Sequence, residues 1–321
     1  MTPSWPLHVS VMIQEVLAHL GLRPGGVWLD AGCGPGGYAL EMLKRSAPDG
    51  KVIALDVDDQ MLAVARERLA SYLPQRCTLV RSNYSRLGAV LSELGIGAVD
   101  GISIDCGLAR DQILGAAGKG LSFDRDEPLD MRLDPALPIS AADLLNSITE
   151  HDLRALLRDL GDVREAGRIA AAIARRRARG PITTTAQLAA TIEATVTAPP
   201  SRGKIRNPAV TKTFLALRVA INAELPTLEQ GIRQAVAALR HGSGRLVVVA
   251  YHGGEDRIVK RLFRALEKGC HCPPRLPCIC GLQPQIRVLT PRPVWASPAE
   301  VQANPSARSA RLRACERLAA A

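Results

Sequence analysis

The chain has 321 residues and a formal net charge of +10, with 47% hydrophobic but only 3% aromatic residues, enough for an aliphatic, alanine-rich core in one large or two ordinary domains. No run approaches the ~18 apolar residues of a membrane span, and the first residues lack a basic start followed by an apolar stretch, so no membrane partner and a cytoplasmic location are expected. Without an export signal, the eight cysteines are expected to be thiols or metal ligands rather than disulfides.

The first predicted element is a strand at residues 27–29, followed by Asp30-Ala31-Gly32-Cys33-Gly34-Pro35-Gly36-Gly37, a helix over 38–45, and a strand over 52–55 ending in Asp56. Strand, glycine turn, helix, strand and acid together make a nucleotide-binding βαβ unit. Glycines let the backbone turn tightly and let a ligand come close. Asp56, about 20 residues beyond the turn, stands where a carboxylate takes both hydroxyls of a ribose. Gly32, Gly34 and Gly37 also satisfy G-x-G-x-x-G, so a dinucleotide stays open. Asp30 argues against it: a carboxylate at the mouth of the first strand repels a pyrophosphate but suits the cationic, phosphate-free S-adenosylmethionine (SAM). A turn that binds nothing is the third reading.

A helix over 60–73 follows, then strand 77–80 leading to Ser82-Asn83-Tyr84, helix 87–94, and strand 99–104 ending in Asp105. Ligand-like residues at the C-terminal ends of strands are where open α/β sheets bind ligands. Residues 108–138 have no period and read as a long irregular loop, functional or disordered, whose charged part, Asp124, Arg125, Asp126 and Asp130 to Asp134, is either beside the site and ordered by substrate or a solvated, salt-bridged connector. Helices are expected at 141–145, 151–160, 166–177, 185–196, 211–225 and 228–239, a strand at 245–250, a helix at 256–266 and a last strand at 285–289. The expected architecture is a Rossmann-like, doubly wound α/β sheet, residues 1–112 and 211–321, interrupted by an all-helical insert over 113–210.

Between Arg164 and Arg218 stand eleven Lys and Arg against Glu165 and Glu193 alone, nearly all of the net charge. Arg175, Arg176 and Arg177 end one insert helix; Lys204 and Arg206 lie on a basic loop. Such one-sided charge suits phosphates, positioning a nucleic acid without reading its sequence. The plainer reading, cations completing a helix C-terminus, accounts for one or two of them.

The chain resembles the MraW-type family of ribosomal RNA small-subunit methyltransferases along nearly its whole length. The likeness rests on His8 to Met12, Gly36-Gly37, Asp56, Val99 to Ile102, Gly120 to Phe123, Pro128 to Pro135, Lys204 to Pro208, Thr213 to Arg218, Glu255 to Lys260, and Asn304-Pro305 with Ala307 to Ser309. The resemblance implies a SAM-dependent enzyme that methylates the exocyclic N4 of a cytidine in small-subunit, 16S-type rRNA, as free rRNA or as an assembled small subunit. It places the cofactor against Gly36, Gly37 and Tyr38, its ribose on Asp56, its adenine beside Tyr84, its reacting end near Asp105, and Gln112 on the closing loop. Ala31 to Gly34, Tyr38, Gly107 to Arg110 and Ala250 to Gly254 depart from the family pattern. The last two segments fall where the target base docks, so a shifted RNA target, and a SAM-holding assembly factor without catalysis, stay open beside the main reading.

Methyl transfer to an amine is a direct displacement in which alignment is the enzyme's main contribution. An acceptor near the cytosine N–H stabilises the charge that develops, and Asp105 is the candidate. The base must leave its stack; Tyr251 and His252 are candidates to line its pocket. Cys270, Cys272, Cys278 and Cys280 form a four-thiol cluster around His271. Tetrahedral zinc accepts four thiolates, but the C-x₂-C knuckle spacing is absent, so zinc stands only as an alternative and no metal is assigned.

Overall fold

Five apolar runs become β1 (Val27–Ala31), β2 (Lys51–Asp56), β3 (Cys77–Arg81), β4 (Gly101–Asp105) and β5 (Arg245–Ala250), paired in parallel in the order β3-β2-β1-β4-β5. Three more strands, β6 (Ile286–Val288), β7 (Val294–Trp295) and β8 (Arg311–Arg317), complete the sheet. β8 pairs antiparallel with β5, and β6 and β7 pair antiparallel with β8. The computed structural model describes residues 10–107, 118–196, 207–270, 272–273 and 279–320. Among these residues no helix is long and apolar enough to cross a membrane.

The parallel strands are buried on both faces, so they read as continuous apolar runs rather than alternating ones. Successive residues feed opposite cores: Trp28 packs on one face of the sheet, Leu29 and Ala31 on the other. Helices α1 (Ile13–Leu20) and α2 (Gly37–Arg45) cover the first face. α3 (Asp59–Arg68) starts at Asp58, whose side chain accepts the Gln60 N–H. α4 (Leu87–Glu93) covers the second face. The helix expected over 60–73 stops at Arg68 and passes into a single 3-10 turn, Ala70–Tyr72.

Residues 108–224 form a unit of their own, and residues 1–107 with 225–321 form the other. Within the first, α5 (Ala141–Ser147) opens on a Ser140–Asp143 capping box, and α6 (Glu150–Gly161) on Thr149. α7 (Ala166–Arg177) and α8 (Thr185–Glu193) follow. α9 (Pro208–Ile221) is capped by Asn207 with proline at its first position. Leu153, Leu157, Ile169, Ile173, Leu188, Phe214 and Leu217 fill its core. The insert therefore ends at 224 rather than at 210, because α9 packs on α6 and buries Phe214 and Leu217 there.

The stretch expected to be irregular is partly structure. Leu129 and Met131 are buried in the insert core, and the Leu129 N–H donates to Thr183 O at 2.9 Å. Asp130 and Arg132 pair at 2.7 Å. Charge here is salt-bridged within the insert.

α10 (Glu224–Ala238) and α11 (Gly253–Lys268) return the chain to the sheet, and α12 (Pro298–Ala303) precedes β8. α1, α12, β7 and β8 had no sequence signal. β8 reads as charged, yet Arg313 is only 7% exposed at its side chain and grips Asp256 of α11, Nε to Oδ1 at 2.6 Å and Nη2 to Oδ2 at 3.3 Å. Removing one partner of such a pair leaves the other buried and uncompensated. Arg313→Met should cost about 3 kcal/mol of stability in a denaturant titration, and Asp256→Leu added to it should recover most of that loss.

Candidate functional site

The sheet changes winding direction at β1, which is flanked by β2 on one side and β4 on the other. A crevice forms outside the C-terminal ends of strands at such a point. Here Asp30 belongs to β1, Asp56 ends β2, Asp105 ends β4 and Tyr251 follows β5.

The glycine turn is shaped by what stands behind it. Gly32 has φ +79°, and a Cβ there would meet the Asp105 carbonyl oxygen at 2.7 Å. A Cβ on Gly37 would stand 1.8 Å from Ser10 Oγ. The N–H groups of Gly32 and Cys33 both donate to Leu55 O at 2.9 Å, and Gly36 caps α2. A Cβ on Gly34 would meet nothing within 4 Å among the described residues, so the turn is open on that side.

The carboxylates divide the work. Asp30 is fully buried: Oδ2 accepts the Ala39 N–H at 2.9 Å and Oδ1 accepts the Ser103 hydroxyl at 2.8 Å. It clamps the start of α2 to β1 and β4. Burial pushes its pKa up to about 7. Asp56 is 7% exposed; Oδ2 accepts the Gly34 N–H at 2.8 Å and Oδ1 the Asp58 N–H at 2.9 Å, which ties the glycine turn to the end of β2. Burial raises its pKa as well. Asp105 Oδ1 accepts the Tyr251 hydroxyl at 2.8 Å. Desolvation, with the nearby charges of Asp30, Glu255 and Asp56, pushes Asp105 to about 8, although the Tyr251 hydrogen bond opposes the rise. Several carboxylates held in low dielectric around one turn favour a cation.

The other candidates resolve differently. Tyr38 is buried and its hydroxyl donates to Val11 O, so its ring belongs to the core; at the start of α2 only the backbone is left for a ligand. The Tyr84 ring lies on Gly231 of α10, where a Cβ would meet its Cδ2 at 2.6 Å, which gives it the gap-filling role. His252 is the N-cap of α11: Nδ1 accepts the Gly254 N–H at 3.1 Å, and the side chain is 12% exposed. That is a structural task. Glu255 Oε2 accepts the N–H groups of Tyr251 at 2.8 Å and His252 at 3.2 Å, fixing the turn that aims Tyr251 at Asp105. Ser103 and Glu255 were missed because a serine in an apolar strand and a glutamate in a helix give no signal without their partners. Gln112, Lys204 and Arg206 lie outside the described residues.

In the insert, the three arginines part company. Arg177 donates to Leu145 O at 2.5 Å and to Ile148 O at 2.6 Å, closing the end of α5. Arg176 donates to Gly180 O at 2.9 Å, beyond the end of its own helix. Only Arg175 is exposed, as is Arg179 nearby. Cys270, Cys272 and Cys280 lie together in the other unit, and none is in a disulfide; Cys278 and His271 lie outside the described residues.

Parallel sheet, glycine turn and desolvated acids define a Rossmann-like SAM-dependent methyltransferase. The chain matches the MraW methylase family over residues 6–318 and belongs to it. The ribosomal RNA small subunit methyltransferase H of Geotalea daltonii is 46% identical over 312 residues, covering 97% of this chain and 98% of its own. That of Symbiobacterium thermophilum is 45% identical over 314 residues, covering 98% and 97%. Among solved structures, a putative rRNA methylase from Clostridium thermocellum aligns over 97% of this chain and 100% of its own with 13% identity and a TM-score of 0.44.

Two predictions follow from these contacts. A carboxyl whose pKa is raised by folding contributes stability that is complete below its unfolded value and is lost as pH rises through its folded value. For Asp30 that window runs from the ordinary 3.8 to about 7. Asn at 30 keeps both hydrogen bonds, since its amide donates to the Ser103 hydroxyl. Asp30→Asn should therefore flatten the fall in melting temperature of the cofactor-free protein between pH 4 and 8; an unchanged slope would remove Asp30 from the explanation. In the insert, Arg177→Ala should cost about 2 kcal/mol through two lost charge-assisted bonds, whereas Arg175→Ala should stay within about 0.5 kcal/mol, both read by chemical denaturation.

Proposed function

We propose that the chain transfers a methyl group from SAM to the exocyclic N4 of a cytidine in small-subunit ribosomal RNA, presented as free rRNA or in an assembled small subunit. The reading is supported by the family and by the names of relatives matched end to end. The observation that carries it here is the group of desolvated carboxyl groups around the glycine turn, Asp105 among them at the end of β4. Those residues fit the cofactor. They offer acids whose ionisation a bound cation would favour, a turn open at Gly34, and an acid at the end of β2.

When bound, SAM supplies a methyl group activated by its positively charged sulfur. Asp56 spends one lone pair of each oxygen on the Gly34 and Asp58 N–H groups and keeps the others for ribose hydroxyls. Asp30 acts as a positioning residue, holding the turn in register with β4. Asp105, largely neutral at pH 7 with its pKa near 8, ionises in the field of the cationic cofactor. As a carboxylate it accepts from the cytosine N–H, orients the nitrogen lone pair toward the methyl carbon and takes the proton released as the N–C bond forms. Tyr251 donates to Asp105 and keeps that carboxylate from rotating away. Arg175 and Arg179, with the basic segment that contains Lys204 and Arg206, place the RNA through its phosphates.

Asp105→Ala should retain the fold and lose most methyl transfer, about 100-fold or more, while Arg175→Ala with Arg179→Ala should weaken RNA binding and lower its salt slope by about 1 to 2. The test is mass spectrometry of small-subunit rRNA nucleosides after incubation of unmodified subunits or rRNA with enzyme and labelled SAM. Label in N4-methylcytidine supports the reading. Label in another nucleoside means a shifted target, and SAM binding without transfer means an assembly factor.

A further inference from the structure

The segment between α11 and β6 is closed at its two ends by backbone contacts. Gly269 ends α11 with φ +68°, and a Cβ there would meet the Gln283 carbonyl carbon at 2.4 Å, so the two ends of the segment touch through a bare backbone. The Gln285 N–H donates to Leu266 O at 2.8 Å and seals the stem. Beyond the stem, Ile279 is 92% and Leu282 45% exposed.

What converges there is sulfur. The Sγ atoms of Cys270, Cys272 and Cys280 all lie within 4.8 Å of one another, each residue half-buried and none in a disulfide. Two amides are aimed at them: the Cys272 N–H lies 3.3 Å from Cys270 Sγ, and the Ile279 N–H lies 3.4 Å from Cys272 Sγ. A neutral thiol gains little from an N–H donor, whereas a thiolate gains a charge-assisted bond that favours its ionised form. Three thiolates in contact repel unless a cation stands among them. Sulfurs on a tetrahedral ion with bonds of about 2.3 Å stand about 3.8 Å apart, a separation that small rotations about χ1 reach from here.

We propose that Cys270, Cys272 and Cys280 bind one soft divalent ion of the zinc class, which staples the loop spanning residues 270–282. Thiolate ligands select zinc over the hard cations. Metal binding contributes folding free energy, as in small metal-bound segments. The role is structural: α11 has 16 residues, and its length of about 24 Å separates the loop from Tyr251 and Asp105. The fourth position of the tetrahedron is left to water or another donor. Binding displaces the thiol protons, so affinity falls as pH is lowered.

The experiment uses the full chain, expressed with zinc in the medium and purified under reducing conditions, with metal measured by elemental analysis. About one zinc per chain is expected, released in proportion as a mercurial blocks the thiols and detected with a chromophoric chelator. Cys272→Ser and Cys280→Ser should each lower the bound metal at least about fivefold, with SAM binding unchanged. The mercurial titration on wild-type protein stands even where a variant folds poorly. Wild-type protein without bound metal, metal retained in both variants, or a disulfide among these cysteines in the reduced preparation would each overturn the proposal.

Discussion

The buried carboxylate of Asp30 is the joint on which the site depends. One oxygen holds the Ala39 N–H at the start of α2 and the other the Ser103 hydroxyl in β4. That bridge fixes the entry of α2 against two neighbouring strands and thereby places the glycine turn. With the turn fixed, Gly32 packs onto the Asp105 carbonyl, and Asp56 reaches the Gly34 N–H. The cost is electrostatic: a carboxyl in that position is pushed to about 7, so at neutral pH the empty site is poised between neutral and charged forms.

The second acid layer is tuned from a different element. Tyr251 follows β5, and its backbone is held by Glu255 in the first turn of α11, with His252 as cap. The departure of this segment from the family pattern therefore bears on how Asp105 is oriented. Its residues form a self-contained cap that turns the tyrosine hydroxyl onto Asp105.

Much of this was legible in the sequence, and the reasons for the rest are physical. The strands of the parallel sheet announce themselves because burial on both faces demands apolar runs, and D-x-G-x-G announces the turn because nothing but glycine fits beside Asp105 O. The division of labour among the acids was not legible. Asp30 and Asp56 look alike in one dimension, and only the partners Ser103, Ala39 and Asp58 separate a clamp from a carboxylate that reaches the crevice. β8 was missed because its charges mimic a solvated face until Asp256 is seen opposite Arg313, and Arg245 and Arg287 opposite Glu316. Arg177 was read with Arg175 as one basic patch, since sequence does not reveal that its guanidinium closes α5. The expected end of the insert fell short for a related reason: periodicity finds α9 and α6 but not that they pack together.

The central claim is that desolvated carboxylates, Asp105 foremost, recognise the positive charge of the cofactor's sulfur. Calorimetric titration of the protein with SAM and with its uncharged thioether product, from pH 6 to 8.5, tests this most directly. The account predicts that preference for SAM over the thioether grows as pH rises through the Asp105 value of about 8, and that Asp105→Asn removes the growth. A preference that stays flat with pH in the wild-type protein would contradict it.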